Sequence, residues 1–129
     1  MAEEREPEQI RRDKKQIRWV DSEDPTFEGG ITKTAVATMS NPTAKAFNYT
    51  AELYLDVTKV ASSGVIAFTL APGTQQPVSF PLTMPLVEGD FPVYLDVLVG
   101  GVVVGAFQAT ENVVIVISPE IVIGPITWN

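Results

Sequence analysis

Two charged stretches are dense enough in polar side chains to hold a ligand or a partner. The first is "DSEDPTFE", which brings Asp21, Glu23, Asp24 and Glu28 close together along the chain. Carboxylates at that density can ligate a hard cation, but Ca2+ takes about six to eight oxygens, usually from an ordered D-x-D-x-D-G frame. That frame is missing, so the expected role is a solvated linker, with no metal site and no cofactor. The second stretch is "RRDKKQIRW", whose cations suit phosphate or an acidic strip on a protein. Acidic neighbours on both sides blunt its field, and a formal net charge of −7 argues against broad nucleic-acid binding. A protein partner or a second copy of the chain is expected instead. The candidate contact residues are Ile10, Arg11, Arg12, Lys14, Lys15, Ile17, Arg18, Trp19 and Val20. The apolar members would bury surface on docking while the cations meet acidic groups.

Composition removes most catalytic chemistry. There is no histidine, hence no usual general base near neutral pH and no His-dependent triad. There is no cysteine, hence no disulfide, thiolate nucleophile or zinc-thiolate site. Asp56 and Asp96 fall on polar strand faces, where they read as solubilising surface groups rather than a carboxylate pair. A non-enzymatic protein is expected. Asn48-Tyr49-Thr50 fits the glycosylation sequon, but the N-terminus "MAEEREPEQIRRDKKQ" has no apolar core of a secretory signal, so it reads as ordinary strand. No apolar run reaches the length of a membrane helix, and neither a membrane partner nor a membrane location is expected.

The elements that must position these residues fall into two parts. Residues 1–30 hold six Lys or Arg and nine Asp or Glu, against three and seven in the remaining 99. They read as a charged N-terminal arm, disordered or partly helical between Pro7 and Arg18, ending near Gly29-Gly30. Its removal should leave the melting temperature of the body nearly unchanged, and trypsin should cut it early.

Residues 31–129 read as strands. Phe47, Tyr49, Ala51, Leu53, Leu55 and Val57 alternate with polar neighbours, and so do Phe91, Val93, Leu95, Val97 and Val99, the period of a half-buried strand. Ile31–Met39 is a weaker strand interrupted by Lys33. Ile66, Phe68 and Leu70 lead into a Pro-Gly turn at Ala71–Thr74, after which Val78, Phe80, Leu82 and Met84 resume. Pro77, Pro81 and Pro85 mark that returning strand as an edge or an irregular one. "VLVGGVVVG" signals a two-residue hairpin. Val113–Ile117 and Ile121–Trp128 add one strand each. Seven or eight short strands with regular turns predict an all-β, antiparallel β-sandwich.

Four segments carry a resemblance to a known pattern. They are "TMSNPTAKAFNYTAELYLD" with its Asn-initiated bend, "FTLAPGTQQPVSF" with its Pro-Gly turn, "EGDFPVYLDV" and "TENVVIVI". Over residues 31–117 the chain resembles bacterial Ig-like modules of the CARDB and related adhesion-associated type, which implies an Ig-like sandwich. Ig-like modules of this size also serve as decoration or tail-associated proteins of phages. The resemblance and the arm together imply a structural module that docks through the arm, with a virion accessory protein contacting capsid subunits as first expectation and a bacterial surface or periplasmic ligand-binding module as the alternative. The expected location is the virion or the cytoplasm.

Overall fold

The computed structural model describes residues 12–22 and 24–117. Ile10, Arg11, Glu23 and the expected strand Ile121–Trp128 lie outside the described residues. Twelve strands and no helix occur among the residues described: β1 (Asp13–Lys15), β2 (Arg18–Trp19), β3 (Thr26–Glu28), β4 (Thr32–Ser40), β5 (Phe47–Leu55), β6 (Ala61–Ser62), β7 (Ile66–Leu70), β8 (Gln75–Thr83), β9 (Gly89–Phe91), β10 (Val93–Val99), β11 (Val102–Ala109) and β12 (Val113–Val116). The all-β expectation holds, and the long strands are those the alternation marked.

The strands form an Ig-like sandwich. One sheet runs β1-β11-β10-β5-β6, with β7 pairing the other end of β5. The remaining strands form two smaller sheets, β2-β4-β8 and β3-β12-β9. Side chains from all three sheets share one apolar cluster, with Leu53, Leu55, Val93 and Leu95 meeting Ala35, Phe80, Leu82, Val113 and Ile115. Period-two alternation makes this possible because it sends every second apolar residue of each strand to the same side.

Local chemistry sets the turns. Gly100 and Gly101 both have positive φ, at 57° and 80°, and Val99 pairs Val102 across them. That is the twist-compatible two-residue hairpin turn that Gly-Gly favours. Gly73 sits at φ 68°, and Thr74 N donates to Ala71 O at 3.2 Å, as the Pro-Gly pair predicts. β8 is the edge of its sheet. Met84 N donates to Ile31 O and Gly30 N to Met84 O, so with the unbroken register of β4 and β8 even residues of β8 face β4. Pro77 and Pro81 fall on the odd set, where no ladder donor is lost, and they guard that edge against other strands.

Phe80 is fully buried opposite Ala35, on the face its parity predicts. Phe80→Ala is expected to lower the unfolding free energy by about 3–5 kcal/mol. Urea titration checks this, and a loss below roughly 0.5 kcal/mol would mean the side chain does not carry core packing.

The N-terminal segment differs from its expectation. From Arg12 onward it is not a loose or helical arm: it supplies three strands. β1 runs parallel to β11, with Asp13 opposite Phe107. β2 pairs antiparallel with β4, and β3 runs parallel to β12. The two parallel pairings also qualify the antiparallel expectation. The reason is packing: Trp19 and Phe27 are buried, at 6% and 3% exposure, and their rings meet edge to face at 5.2 Å. High charge density masked two anchors that only a sandwich can bury. The Gly29-Gly30 boundary dissolves with it, since a Cβ on Gly29 would approach Pro85 O to 2.7 Å. That glycine permits a close packing contact rather than a linker.

Candidate ligand cleft

An apolar cleft of about 460 Å³ lies at one end of the sandwich. The larger sheet continues inward-facing rings past the point where β4 stops at Ser40. Phe47 and Tyr49 from β5, Phe68 from β7 and Phe107 from β11 form the wall, and all four remain half-buried. Tyr49 stacks on Phe68 at 5.3 Å with 14° between planes, and Phe47 meets Tyr49 edge to face at 6.1 Å. Val97, Val99 and Val104 continue the apolar lining towards the β10–β11 hairpin. Val102, Val103 and Val104 there are 65%, 52% and 57% exposed, so apolar surface extends beyond the rim. No carboxylate lines the cleft, and Lys15 is its one charged residue among those described.

A buried asparagine fixes the roof. Asn41 is fully buried. Its Nδ2 donates to Lys45 O at 2.7 Å and Leu70 O at 3.1 Å, while its Oδ1 accepts from Thr43 N at 3.0 Å and the Thr43 hydroxyl at 2.6 Å. The backbone joins in, with Asn41 N donating to Thr74 O and Gly73 N to Asn41 O. This is the Asn-initiated bend of the sequence, and it ties the Pro42–Ala46 loop to the Pro-Gly turn. Asn41→Asp would set a carboxylate against two carbonyl oxygens and raise its pKa in the folded state. Its deficit relative to the parent should therefore be smallest below about pH 4, the ordinary aspartate range, where the single acid O–H still reaches one of the two carbonyls, and grow as pH rises above it, to about 3 kcal/mol at neutral pH. Thermal melts across pH check the sign. A flat difference across pH would remove the buried-carbonyl explanation.

A polar furrow of about 610 Å³ adjoins the cleft, with Lys15 and Thr38 belonging to both. Gln16, Ile17, Arg18, Trp19, Thr110 and Glu111 also line it. Of the sequence-derived contact residues, Lys15, Ile17, Arg18 and Trp19 thus come together, but on the wall of the domain itself. Trp19 presents only a trace of surface; Lys14 and Arg18 are exposed, Ile17 and Val20 half-buried. Phe47, Tyr49 and Phe68 belong to the apolar faces that the alternation predicts, Phe107 lies in the strand after the Gly-Gly turn and carries no such signal of its own, and nothing in the alternation distinguishes a covered ring from an uncovered one.

Arg12 is the residue furthest from its expected role. Its side chain is 3% exposed and lies across the outer face of the larger sheet. Nη1 donates to Asp96 Oδ1 at 2.7 Å and Phe107 O at 3.1 Å, and Nη2 donates to the Tyr54 hydroxyl at 3.0 Å. Tyr54 donates to Asp96 Oδ2 at 2.7 Å, and the guanidinium stands 4.5 Å from the Tyr94 ring centre. Asp96 is thus an ion-pair partner rather than a solubilising surface group. Burial, with the neighbouring Asp96 carboxylate, pushes the Tyr54 hydroxyl well above the ordinary tyrosine range. Beside it, burial opposes ionisation of Glu52, but hydrogen bonds from Lys59 and Ser62 and the Lys59 charge outweigh it and lower the pKa. Asp56 lies in the turn after β5 at φ 62°, where hydrogen bonding from Thr58 lowers its pKa. Asp56 and Asp96 form no pair.

The fold and the cleft define an Ig-like β-sandwich module. In agreement, the CARDB domain of a Pyrococcus furiosus protein, crystallised in complex with di-metal ions, superposes with a TM-score of 0.59 at 17% identity, covering 80% of this chain and 91% of that one. A β-glucuronidase from glycoside hydrolase family 2 matches with a TM-score of 0.58 at 13% identity, over 71% of this chain but only 10% of the enzyme. These likenesses establish the fold. No protein-family model matches the sequence, and no curated protein matches it.

Proposed function

We propose that this chain is a non-catalytic binding module that captures its partner in the apolar cleft. The observation that carries this reading is the wall of four half-buried rings around about 460 Å³ with no carboxylate among the described lining residues. Such a surface desolvates an apolar group; it offers no acid and base to move a proton. Docking to capsid subunits through the N-terminal arm, the first expectation from sequence, needs a segment free to leave the domain, whereas β1 and β2 tie residues 13–19 to β11 and β4 and the Arg12 and Trp19 side chains are buried. We therefore place the capture surface at the cleft, as in a surface or periplasmic ligand-binding module, ahead of a virion role.

The metal ions of the Pyrococcus domain are not transferred. Among the described residues no three Asp or Glu side chains converge on a common point, and Asp21, Asp24 and Glu28 are exposed. Chelation by EDTA is expected to leave the thermal midpoint unchanged. A drop in midpoint that calcium restores would reinstate the acidic stretch as a metal site.

The neutral fluorophore N-phenyl-1-naphthylamine tests the cleft. Saturable enhancement is expected, lost in Phe68→Ser and kept in Leu86→Ser, which alters an exposed apolar residue outside the cleft. Melting curves confirm that both variants fold. No enhancement with the parent protein, or equal enhancement in all three proteins, overturns the reading.

A further inference from the structure

Resting on that reading, we infer that the cleft takes an apolar monocarboxylate, a medium-chain fatty-acid type of ligand, with its chain among the aromatic rings and its carboxylate at Lys15. The first observation is the division of the site. An apolar compartment of about 460 Å³ adjoins a polar furrow of about 610 Å³, and Lys15 and Thr38 line both. A ligand spanning that junction must be amphipathic. Volumes of roughly 300–1,000 Å³ suit small-molecule ligands.

The second observation fixes the sign of the head. The apolar compartment carries one charged wall residue, Lys15, whose ammonium lies 5.6 Å from the Phe107 ring centre and has no carboxylate partner among the described residues. Arg18 adds a second cation to the furrow, against the single carboxylate of Glu111 among the described lining residues. An anion entering the junction gains an attraction that a neutral or cationic head does not. β1 holds the lysine in place, since Lys15 is in register with Ala109 and its carbonyl accepts from Thr110 N at 3.2 Å.

Displacement of N-phenyl-1-naphthylamine by decanoate and by 1-decanol provides the test. Decanoate is expected to compete about 10-fold better than decanol, with an advantage that shrinks as salt rises. Lys15→Gln should bring decanoate to the level of decanol and leave decanol unchanged. Equal competition by the acid and the alcohol, or full retention of the difference in Lys15→Gln, overturns the inference while the cleft reading stands. Failure of the fluorophore itself to bind the parent protein removes the cleft reading and this inference with it. Competition by an acetylated apolar tetrapeptide with a free carboxylate, without competition by decanoate, assigns the site to peptide termini and overturns the fatty-acid assignment.

Discussion

A chain lacking residues 1–20 is expected to lose cooperative folding altogether. The truncation removes β1 and β2, leaves the β11 edge bare where Asp13–Lys15 had paired, and strips out the buried Trp19 and Arg12. Loss of a buried tryptophan side chain costs about 3–5 kcal/mol, and breaking a buried ion pair costs about 3 kcal/mol more. A domain of this size has a total stability of only about 5–15 kcal/mol. Circular dichroism melts and urea titration would show a broad, low-amplitude transition or none. A truncated chain that melts cooperatively within a few degrees of the full chain would mean the segment is a dispensable arm after all. Early tryptic cleavage at Lys14, Lys15 and Arg18 in the intact protein would point the same way, because paired strand must open before a protease can bind it.

Arg12→Ala is expected to lower the unfolding free energy by about 3 kcal/mol. With the described residues its fork makes one ion pair and two further hydrogen bonds at once, so the change takes the counter-charge from Asp96 and a donor from Phe107 O and from the Tyr54 hydroxyl, leaving only the Tyr54–Asp96 hydrogen bond between those two side chains. The Asp96 side chain keeps 23% exposure, which lets water recover part of the loss and sets the estimate at the lower end of the range for buried pairs. Arg12→Lys should recover less than half, since an ammonium cannot span Asp96, Phe107 O and Tyr54 together. The measurement is the urea midpoint at constant slope, with Asp96→Asn and the double variant completing a cycle. Coupling of at least about 1 kcal/mol between the two sites is expected. An Arg12→Ala protein within roughly 0.5 kcal/mol of the parent would show that the network is solvated in solution. The exposed pair of Lys59 and Glu52, at 2.8 Å with Lys59 47% exposed, should by contrast contribute little.

The sequence by itself determined the all-β class, the inward faces of β5, β8 and β10, the Gly-Gly hairpin, the Pro-Gly turn and the choice of edge or irregular strand for β8, which the pairing settles as an edge. Each is a local property: side-chain period, permitted φ, or a missing N–H acts within a few residues and reads directly from the chain. It also determined the absence of histidine and cysteine chemistry. Only the tertiary structure decided the standing of residues 12–28, because a charged segment's fate depends on whether distant strands offer an edge and a cavity, as β11 and β12 offer edges and Phe27 offers Trp19 a ring. The Arg12–Asp96 pair spans 84 residues, beyond any periodicity. The cleft was likewise illegible: alternation sends Phe47, Tyr49, Phe68 and Phe107 inward, but whether a second layer covers them depends on where β4 ends relative to β5, β7 and β11, a relation fixed by packing between sheets.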